Sequence, residues 1–407
     1  MHIAYITSEF MTEKESGGLA VYLNNISDIM NMHGHRVTVI TLSDRDGELL
    51  YKKGINVIRV KRTALDPLKD DLTAAFCMLE NSWKLYKTVK EVKRKSCLDI
   101  VQSANYQAVG FFRDYQLPTV VRASSDSSLL RNAADIRFDY EMALKQKKPG
   151  DRMELMCVRQ ADAAYAPSVF CAKVITKRSG RKIDIIESPF VESDLELDDS
   201  VYKNRLAGKQ YLLFNSSLSS LKGTHMGIEA AEYILGRYPE LNLVYAGNNG
   251  GIKQLKGGTQ DIAGILRRQS ERYGGRVIYL GKLDHQKLYP VIRNALACVL
   301  PSRVDNLPNS CIEAMAQGKA VIGTYGASFE QLIRNKENGL LIQRDSVKAL
   351  VRAVGYLMAM SEQERWEMGM RAKETVTRLS PENIYEQVIT YYQNVIRSFS
   401  NKGHLLR

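Results

Sequence analysis

The chain has 407 residues, enough for two domains that each bury a core, and its 44% hydrophobic and 25% charged residues exclude extensive disorder and collagen-like repeats. Lys and Arg outnumber Asp and Glu by 57 to 45, and the net charge of +12 favours anionic partners such as phosphate ligands, nucleic acid or an anionic membrane leaflet. Six cysteines without CxxC or CxxH spacing exclude a zinc site and a dense disulfide framework and fit a reducing cytosol. No apolar run is long enough to span a bilayer, and the first residues lack the basic-then-apolar form of a signal peptide, so a cytoplasmic location is expected.

In chain order, His2 to Thr7 (HIAYIT) reads as a buried strand, followed by a loop with Gly17 and Gly18. Leu19, Tyr22, Leu23, Ile26, Ile29 and Met30 then recur at amphipathic helical spacing until Gly34 stops the helix. Arg36 to Leu42 completes a βαβ unit. The alternation continues through Ile55 to Val60, a helix over about Asp71 to Lys95, and strands at Ile100 to Gln102, Thr119 to Arg122, Ala161 to Ala166 and Ile183 to Glu187. Parallel strands are implied, and the polar stretch Ser188 to Ser200 reads as a linker.

A second series then begins, with strands at Tyr211 to Asn215, Leu243 to Ala246, Val277 to Leu280, Cys298 to Pro301 and Ala320 to Gly323. Two doubly wound α/β halves follow: a Rossmann-like domain over 1–195 and a second over 196–379, with a helix within 380–407 packing back on the first. Ligands bind outside the carboxyl ends of such strands, which makes a central cleft between the halves the default site.

The segment Cys298 to Ile342 carries the chemistry. A strand runs into Pro301 and Ser302, a loop holds Asp305 and Asn306, and Pro308 suits the first turn of a helix that ends at Gly318. Free amides near Asn309 and Ser310 make an anion site aided by the helix dipole. Asn309 and Glu313 lie four residues apart on one helix face, and a carboxylate one turn deep can accept the two hydroxyls of a ribose, while Asp305 can hold another polyol ring. Acid, phosphate cradle, acid is the pattern of a nucleotide-sugar site.

With Ser-Phe-Glu330 after a glycine-bearing loop and Asn338-Gly339-Leu340 beyond it, this segment resembles the nucleotide-binding signature of retaining glycosyltransferase family 4, which has the GT-B fold of two Rossmann-like domains. The resemblance implies that Glu313 binds the donor ribose, that Asp305 contacts the transferred sugar, and that amides near Asn306, Leu307 and Asn309 border the sugar or phosphates. Lys222, in Phe214 to Gly223 (FNSSLSSLKG), matches a diphosphate-binding Lys, whereas Ser217 stands where the family has an Arg and Ser124 where it often has a His. Arg303 or Arg122 could replace the missing cation at the leaving phosphate. Arg122 and Gly17 are placed on the acceptor or sugar side, Gly18 near the donor, and Gly281, Lys282 and Leu283 beside the base. The family works without a metal, so no cofactor is expected and Asp44-Arg45-Asp46 reads as an ordinary loop rather than a metal-binding DxD. Catalysis is assigned to Asp305, Lys222 and Glu313.

The implied activity is retaining transfer of a hexose-type sugar from a nucleoside diphosphate, UDP favoured over GDP, to a hydroxyl of a glycan or lipid-linked acceptor in bacterial surface polysaccharide synthesis. The competing reading, prompted by Ser217 and Ser124, is a catalytically weak nucleotide-sugar-binding partner subunit. An NAD-dependent dehydrogenase is disfavoured because the Gly17-Gly18 loop is too far from the first strand for GxGxxG. The basic helical stretch Trp83 to Lys95 offers a contact for anionic lipid. No motif supports nucleic-acid binding.

Overall fold

The structure, a computed structural model, describes residues 1–13, 17–52, 54–63, 70–135, 138–192, 196–253 and 259–405, with side chains 251–260 and 402–407 excepted. Ser16, residues 193–195 of the expected linker and the last two residues of 380–407 lie outside the described set. The chain divides into two compact units: Met1–Ser128, Leu144–Val191 and Leu379–Arg407 form the first, and Leu129–Ala143 and Glu192–Arg378 the second.

The first unit holds an eight-stranded sheet of β1 (His2–Thr7), β2 (Arg36–Ser43), β3 (Gly47–Tyr51), β4 (Ile55–Lys61), β5 (Ile100–Ala104), β6 (Thr119–Arg122), β7 (Ala163–Ala166) and β8 (Asp184–Ile185), in the order β3-β4-β2-β1-β5-β6-β7-β8. All of β1 is buried, because a central parallel strand is covered on both faces. Helices α1 (Gly18–Met32), α2 (Asp71–Lys95), α3 (Ser127–Ala133), α4 (Tyr140–Lys145), α5 (Pro149–Gln160) and α6 (Val169–Ser179) connect the strands. Asp70 caps α2 by accepting from the amides of Leu72 and Thr73, and Ser168 caps α6 at Cys171.

The second unit carries a six-stranded parallel sheet and a small three-stranded one. Along the chain these strands are β9 (Gln210–Asn215), β10 (Leu218–Ser219), β11 (Leu241–Ala246), β12 (Asn249–Lys253), β13 (Thr259–Gln260), β14 (Val277–Tyr279), β15 (Ala297–Leu300), β16 (Val321–Thr324) and β17 (Leu340–Ile342). The large sheet runs β14-β11-β9-β15-β16-β17 and the small one β10-β12-β13. The helices are α7 (Ser200–Arg205), α8 (Thr224–Arg237), α9 (Ile262–Arg272), α10 (His285–Arg293), α11 (Asn309–Ala316), α12 (Val347–Ala359) and α13 (Glu362–Val376), the last closed by a Ser361–Glu364 capping box. A final helix, α14 (Pro381–Leu405), groups with the first unit.

Several expected elements shift. The first sheet is not wholly parallel: β3 pairs antiparallel with β4, and its half-exposed sequence GELLY gives little apolar signal. The strand expected over Ile183 to Glu187 shrinks to Asp184–Ile185, and β7 begins at Ala163 because Ala161 caps α5. Residues 129–143, inside the expected first domain, group with the second unit.

Tyrosines tie α14 to the first sheet. The Gln102 side-chain carbonyl accepts hydroxyls from Tyr165 and Tyr392, each at 2.6 Å, and Tyr22 meets Tyr165 at 2.6 Å. The His33 ring stacks on Tyr385 with centroids 3.6 Å apart. All six cysteines are free thiols.

In the second unit, Gly369 of α13 lies so close to the turn after α11 that a Cβ there would stand 2.0 Å from the Gly318 carbonyl oxygen. Gly369→Ala should therefore cost about 2–3 kcal/mol by overpacking. A lowered urea midpoint at unchanged slope is the expected measurement.

Candidate functional site

The loops after β9, β15 and β16 are fastened to one another at the carboxyl edge of the second sheet. Gly223, with φ +69°, opens α8, and a Cβ there would fall 1.9 Å from the Pro301 carbonyl oxygen. Only a glycine permits that approach. The Arg303 amide then donates to the Leu221 carbonyl at 2.9 Å, and Lys222 Nζ reaches Asp305 Oδ2 at 2.5 Å. From the third loop, Ser328, held at φ +67°, donates its hydroxyl to the Asp305 carbonyl at 2.7 Å. Asp305 Oδ1 accepts the Asn306 amide at 3.1 Å, so this carboxylate is fixed at both oxygens.

Helix α11 starts one residue later than expected. Pro308 is its extended N-cap (ψ 99°) and lies outside the first turn, Asn309 is the first helical residue, and the helix closes at Ala316 before Gly318. Asn309 is half-buried and Leu307 is buried. Glu313, with 17% of its side chain exposed, places Oε1 3.3 Å from His285 Nε2. Asn215, at the end of β9, donates from Nδ2 to the Ser310 carbonyl at 3.4 Å, while its buried Oδ1 has no partner among the described residues.

The sequence-derived residues fall into three groups. Lys222, Asp305, Asn306 and, through the same helix, Asn309 and Glu313 come together at this edge. Gly281 and Leu283 stand on the next edge loop, after β14: Gly281 has φ +76°, its carbonyl accepts the Gly247 amide at 2.8 Å, and Leu283 is half-buried. Ser217 is exposed between β9 and β10. Gly17, Gly18 and Arg122 belong to the first unit. There, the amides of Gly17, Leu19 and Ala20 face the Glu9 carboxylate, with Ala20 N at 3.3 Å from Oε1. The α1 N-terminus thus already holds an internal anion, and burial raises that carboxyl above its ordinary range.

Neither arginine offered as a replacement cation is open to a phosphate. Arg122 is 4% exposed, lies 3.6 Å over the Tyr22 ring, and donates to Ser124 at 2.7 Å and Ser188 at 2.8 Å. Arg303 is 5% exposed and bonds Asp345 Oδ1 at 2.8 Å and the Asp135 carbonyl at 2.6 Å. His225 joins Asp345 at 3.2 Å, and the Arg344 guanidinium sits 5.5 Å from the Phe138 ring and 5.4 Å from that of Tyr140. This is the physical reason that residues 129–143 group with the second unit.

The remaining signature residues hold the scaffold. Glu330 accepts the Gly326 amide within its own loop. Asn338 is fully buried, accepting the Arg334 amide at 2.7 Å and donating to the Leu332 carbonyl at 3.0 Å, and Gly339 leaves room for the Val321 carbonyl. Asp44 is 85% exposed and 3.9 Å from Arg62, while Asp46 accepts the Lys61 amide at 2.7 Å. No cluster of three metal-ligating residues occurs among the described residues.

His285 and Glu9 are the polar groups that sequence reading missed, and Ser328, read only as part of the Ser-Phe-Glu330 motif, was given no role. Their partners are distant along the chain, and only Glu9, an acid shortly before a double glycine, leaves a local trace.

Residues 199–375 match the profile of the family described as Glycosyl transferases group 1, a span inside the second unit. The D-inositol 3-phosphate glycosyltransferase of Corynebacterium urealyticum is 26% identical over 188 residues, which cover 45% of this chain and 42% of that relative. In fold, sucrose-phosphate synthase from Thermosynechococcus elongatus is similar with a TM-score of 0.75 at 18% identity, covering 98% of this chain and 99% of that one. The Anabaena protein HepE, solved in complex with UDP, is similar with a TM-score of 0.68 at 16% identity, covering 97% and 100%. The fold is that of the GT-B glycosyltransferases, and residues 199–375 resemble the group 1 members.

Arg303→Met keeps an unbranched apolar stem but removes the donors, and should loosen residues 129–143. Each charge-assisted bond is worth about 1.5–3 kcal/mol, so chymotryptic cleavage at Phe138 and Tyr140 is expected to accelerate at least about tenfold in limited proteolysis.

Proposed function

We propose that this protein is a retaining glycosyltransferase that takes a sugar from a nucleoside diphosphate, UDP in preference to GDP, and passes it to a hydroxyl of a glycan or lipid-linked acceptor in bacterial surface polysaccharide synthesis. The observation that carries this reading is the fastening of Lys222 to Asp305 at the mouth of the Asn309–Glu313 helix, an anion-binding tip flanked by two carboxylates. The solution of HepE with UDP supports a uridine donor.

In the proposed reaction Glu313 holds the ribose hydroxyls, the amides around Asn306 to Asn309 and the α11 dipole receive the diphosphate, and Asp305 orients the sugar. Lys222, released from Asp305, neutralises the leaving oxygen. The bond from the anomeric carbon to the diphosphate breaks while the acceptor oxygen bonds to the same face of that carbon. The acceptor proton passes to the departing phosphate oxygen. These steps use the chain's own cations and dipoles, with no metal.

One observation favours a weaker second reading. Ser217 supplies no charge, and Arg122 and Arg303 are engaged elsewhere, so a nucleotide-sugar-binding partner subunit with slow turnover is the alternative. Donor binding without transfer or hydrolysis on a panel of acceptors would select it.

A thermal-shift screen of UDP-, GDP- and ADP-sugars tests both readings, since a ligand that binds only the native state raises its melting temperature. UDP-sugars should give the largest shift. Glu313→Ala should abolish it, and Asp44→Ala should leave it intact.

A lipid-linked acceptor requires access to a membrane surface. No described helix is long and apolar enough to cross one. Along α2, however, Leu72, Phe76, Trp83, Lys87, Lys90 and Arg94 recur at helical spacing as one exposed stripe, interrupted by Glu80 and Glu91, apolar toward its start and mainly cationic toward its end. We assign this stripe to anionic lipid. Flotation with vesicles containing phosphatidylglycerol should retain the protein, and K87E/K90E/R94E should release it with donor binding unchanged. Equal flotation of both proteins would refute the assignment.

A further inference from the structure

The His285–Glu313 pair bears on how the site admits its donor, an inference that rests on the reading of Glu313 as the ribose-binding acid. A vicinal diol uses both oxygens of a carboxylate, one hydroxyl to each. In the structure one of them is already taken: Glu313 Oε1 lies 3.3 Å from His285 Nε2.

The imidazole is placed there by its helix. Asp284 caps α10 by accepting the Lys287 amide at 3.1 Å, which makes His285 the first helical residue, two positions past Leu283. Its ring stacks on Tyr289 with centroids 5.3 Å apart. Just under half of the His285 side chain is exposed, against 17% of Glu313, so the imidazole covers the carboxylate from the solvent side.

We propose that His285 is a positioning residue that competes with the donor for Glu313: the ribose diol and the imidazole hold the same carboxylate oxygen in turn. Donor entry displaces His285 from Oε1, and the freed ring stays on Tyr289, beside the loop of Gly281 to Leu283. His285 is thereby part of the nucleoside-facing wall of the site.

The competition is stronger when the imidazole is charged. The Glu313 carboxylate, chiefly through its hydrogen bond, raises His285 above the ordinary 6.5, and Asp284 acts in the same direction. From α7 and the turn before it, Asp198 faces the next turn of α10, where it lies 3.9 Å from Lys287 and accepts the Ser200 amide. At the far end of α10, Arg293 is bonded to Gln317. Glu313 and Asp284 are thus the charges that face the ring. Below its raised pKa the imidazolium holds Glu313 and the donor must break an ion pair. As pH rises through that value the ring loses its charge and the donor binds more tightly.

Calorimetric titration with UDP-glucose between pH 5.5 and 8.5 tests this, because both phosphates of the nucleotide sugar keep one charge each throughout that range. Wild-type protein should bind about tenfold more weakly at the acidic end, whereas His285→Ala and the uncharged His285→Asn should vary less than about twofold. By reciprocity, the His285 pKa followed by NMR should fall when donor saturates the site. Wild-type affinity that ignores pH, an unchanged slope in His285→Ala, or tighter binding in acid would each overturn the proposal while leaving the donor site in place. Tighter acid binding would mean that the imidazolium attracts the diphosphate instead of guarding the carboxylate. If no UDP-, GDP- or ADP-sugar binds wild-type protein at any pH, the donor-site reading itself fails and this proposal with it.

Discussion

A parallel sheet buried on both faces discharges every strand at one edge, so loops far apart in sequence have to share the same few cubic nanometres. In the second unit this crowding is resolved without a side chain at Gly223, where the loop after β9 rests on the Pro301 carbonyl. That contact brings Lys222 against Asp305 and lets the Arg303 amide reach Leu221. Ser328 then pins the Asp305 carbonyl from the third loop. The acid and the base at the site therefore owe their proximity to backbone fit, and their charges act on a frame that already exists.

The same edge accommodates two carboxylates of different character. Asp305 is bound on both oxygens by a lysine and an amide, and Glu313 is paired at one oxygen with a half-exposed histidine. The loop of the first is pinned at the Asp305 backbone carbonyl by Ser328, and the second is paired with the first residue of α10. Under the proposed function a nucleotide sugar would meet two different exchange reactions here, an ammonium turning from Asp305 toward phosphate and an imidazole giving way to ribose.

Much of this was legible in the sequence because the informative residues are local. Asp305, Asn309 and Glu313 fall on one loop and one helix, and their spacing alone places them around the start of α11. The apolar runs of the central strands were equally plain, since burial on both faces leaves no alternation to misread. Pairings across long stretches of chain were not legible. His285 meets Glu313 only because α10 and α11 flank the same edge, and Glu9 reaches the start of α1 by folding back over a loop. Arg303 looked like a spare cation, yet it is spent on the carbonyls of residues 129–143, a segment that hydrophobic periodicity assigned to the other domain. The hairpin strand β3 was missed for a simpler reason: a half-exposed edge strand has neither a continuous apolar run nor strict alternation.

The tyrosine layer has a consequence for biosynthesis. Gln102 receives one hydroxyl from Tyr165 and another from Tyr392, and Tyr392 emerges from the ribosome only after the whole of Glu192–Arg378 has been made. At roughly 5–20 residues per second, translation delivers Tyr392 many seconds after the last strand of the first sheet. The first unit is thus completed from both ends of the chain, and its last hydrogen bond to Gln102 can form only when synthesis is nearly finished.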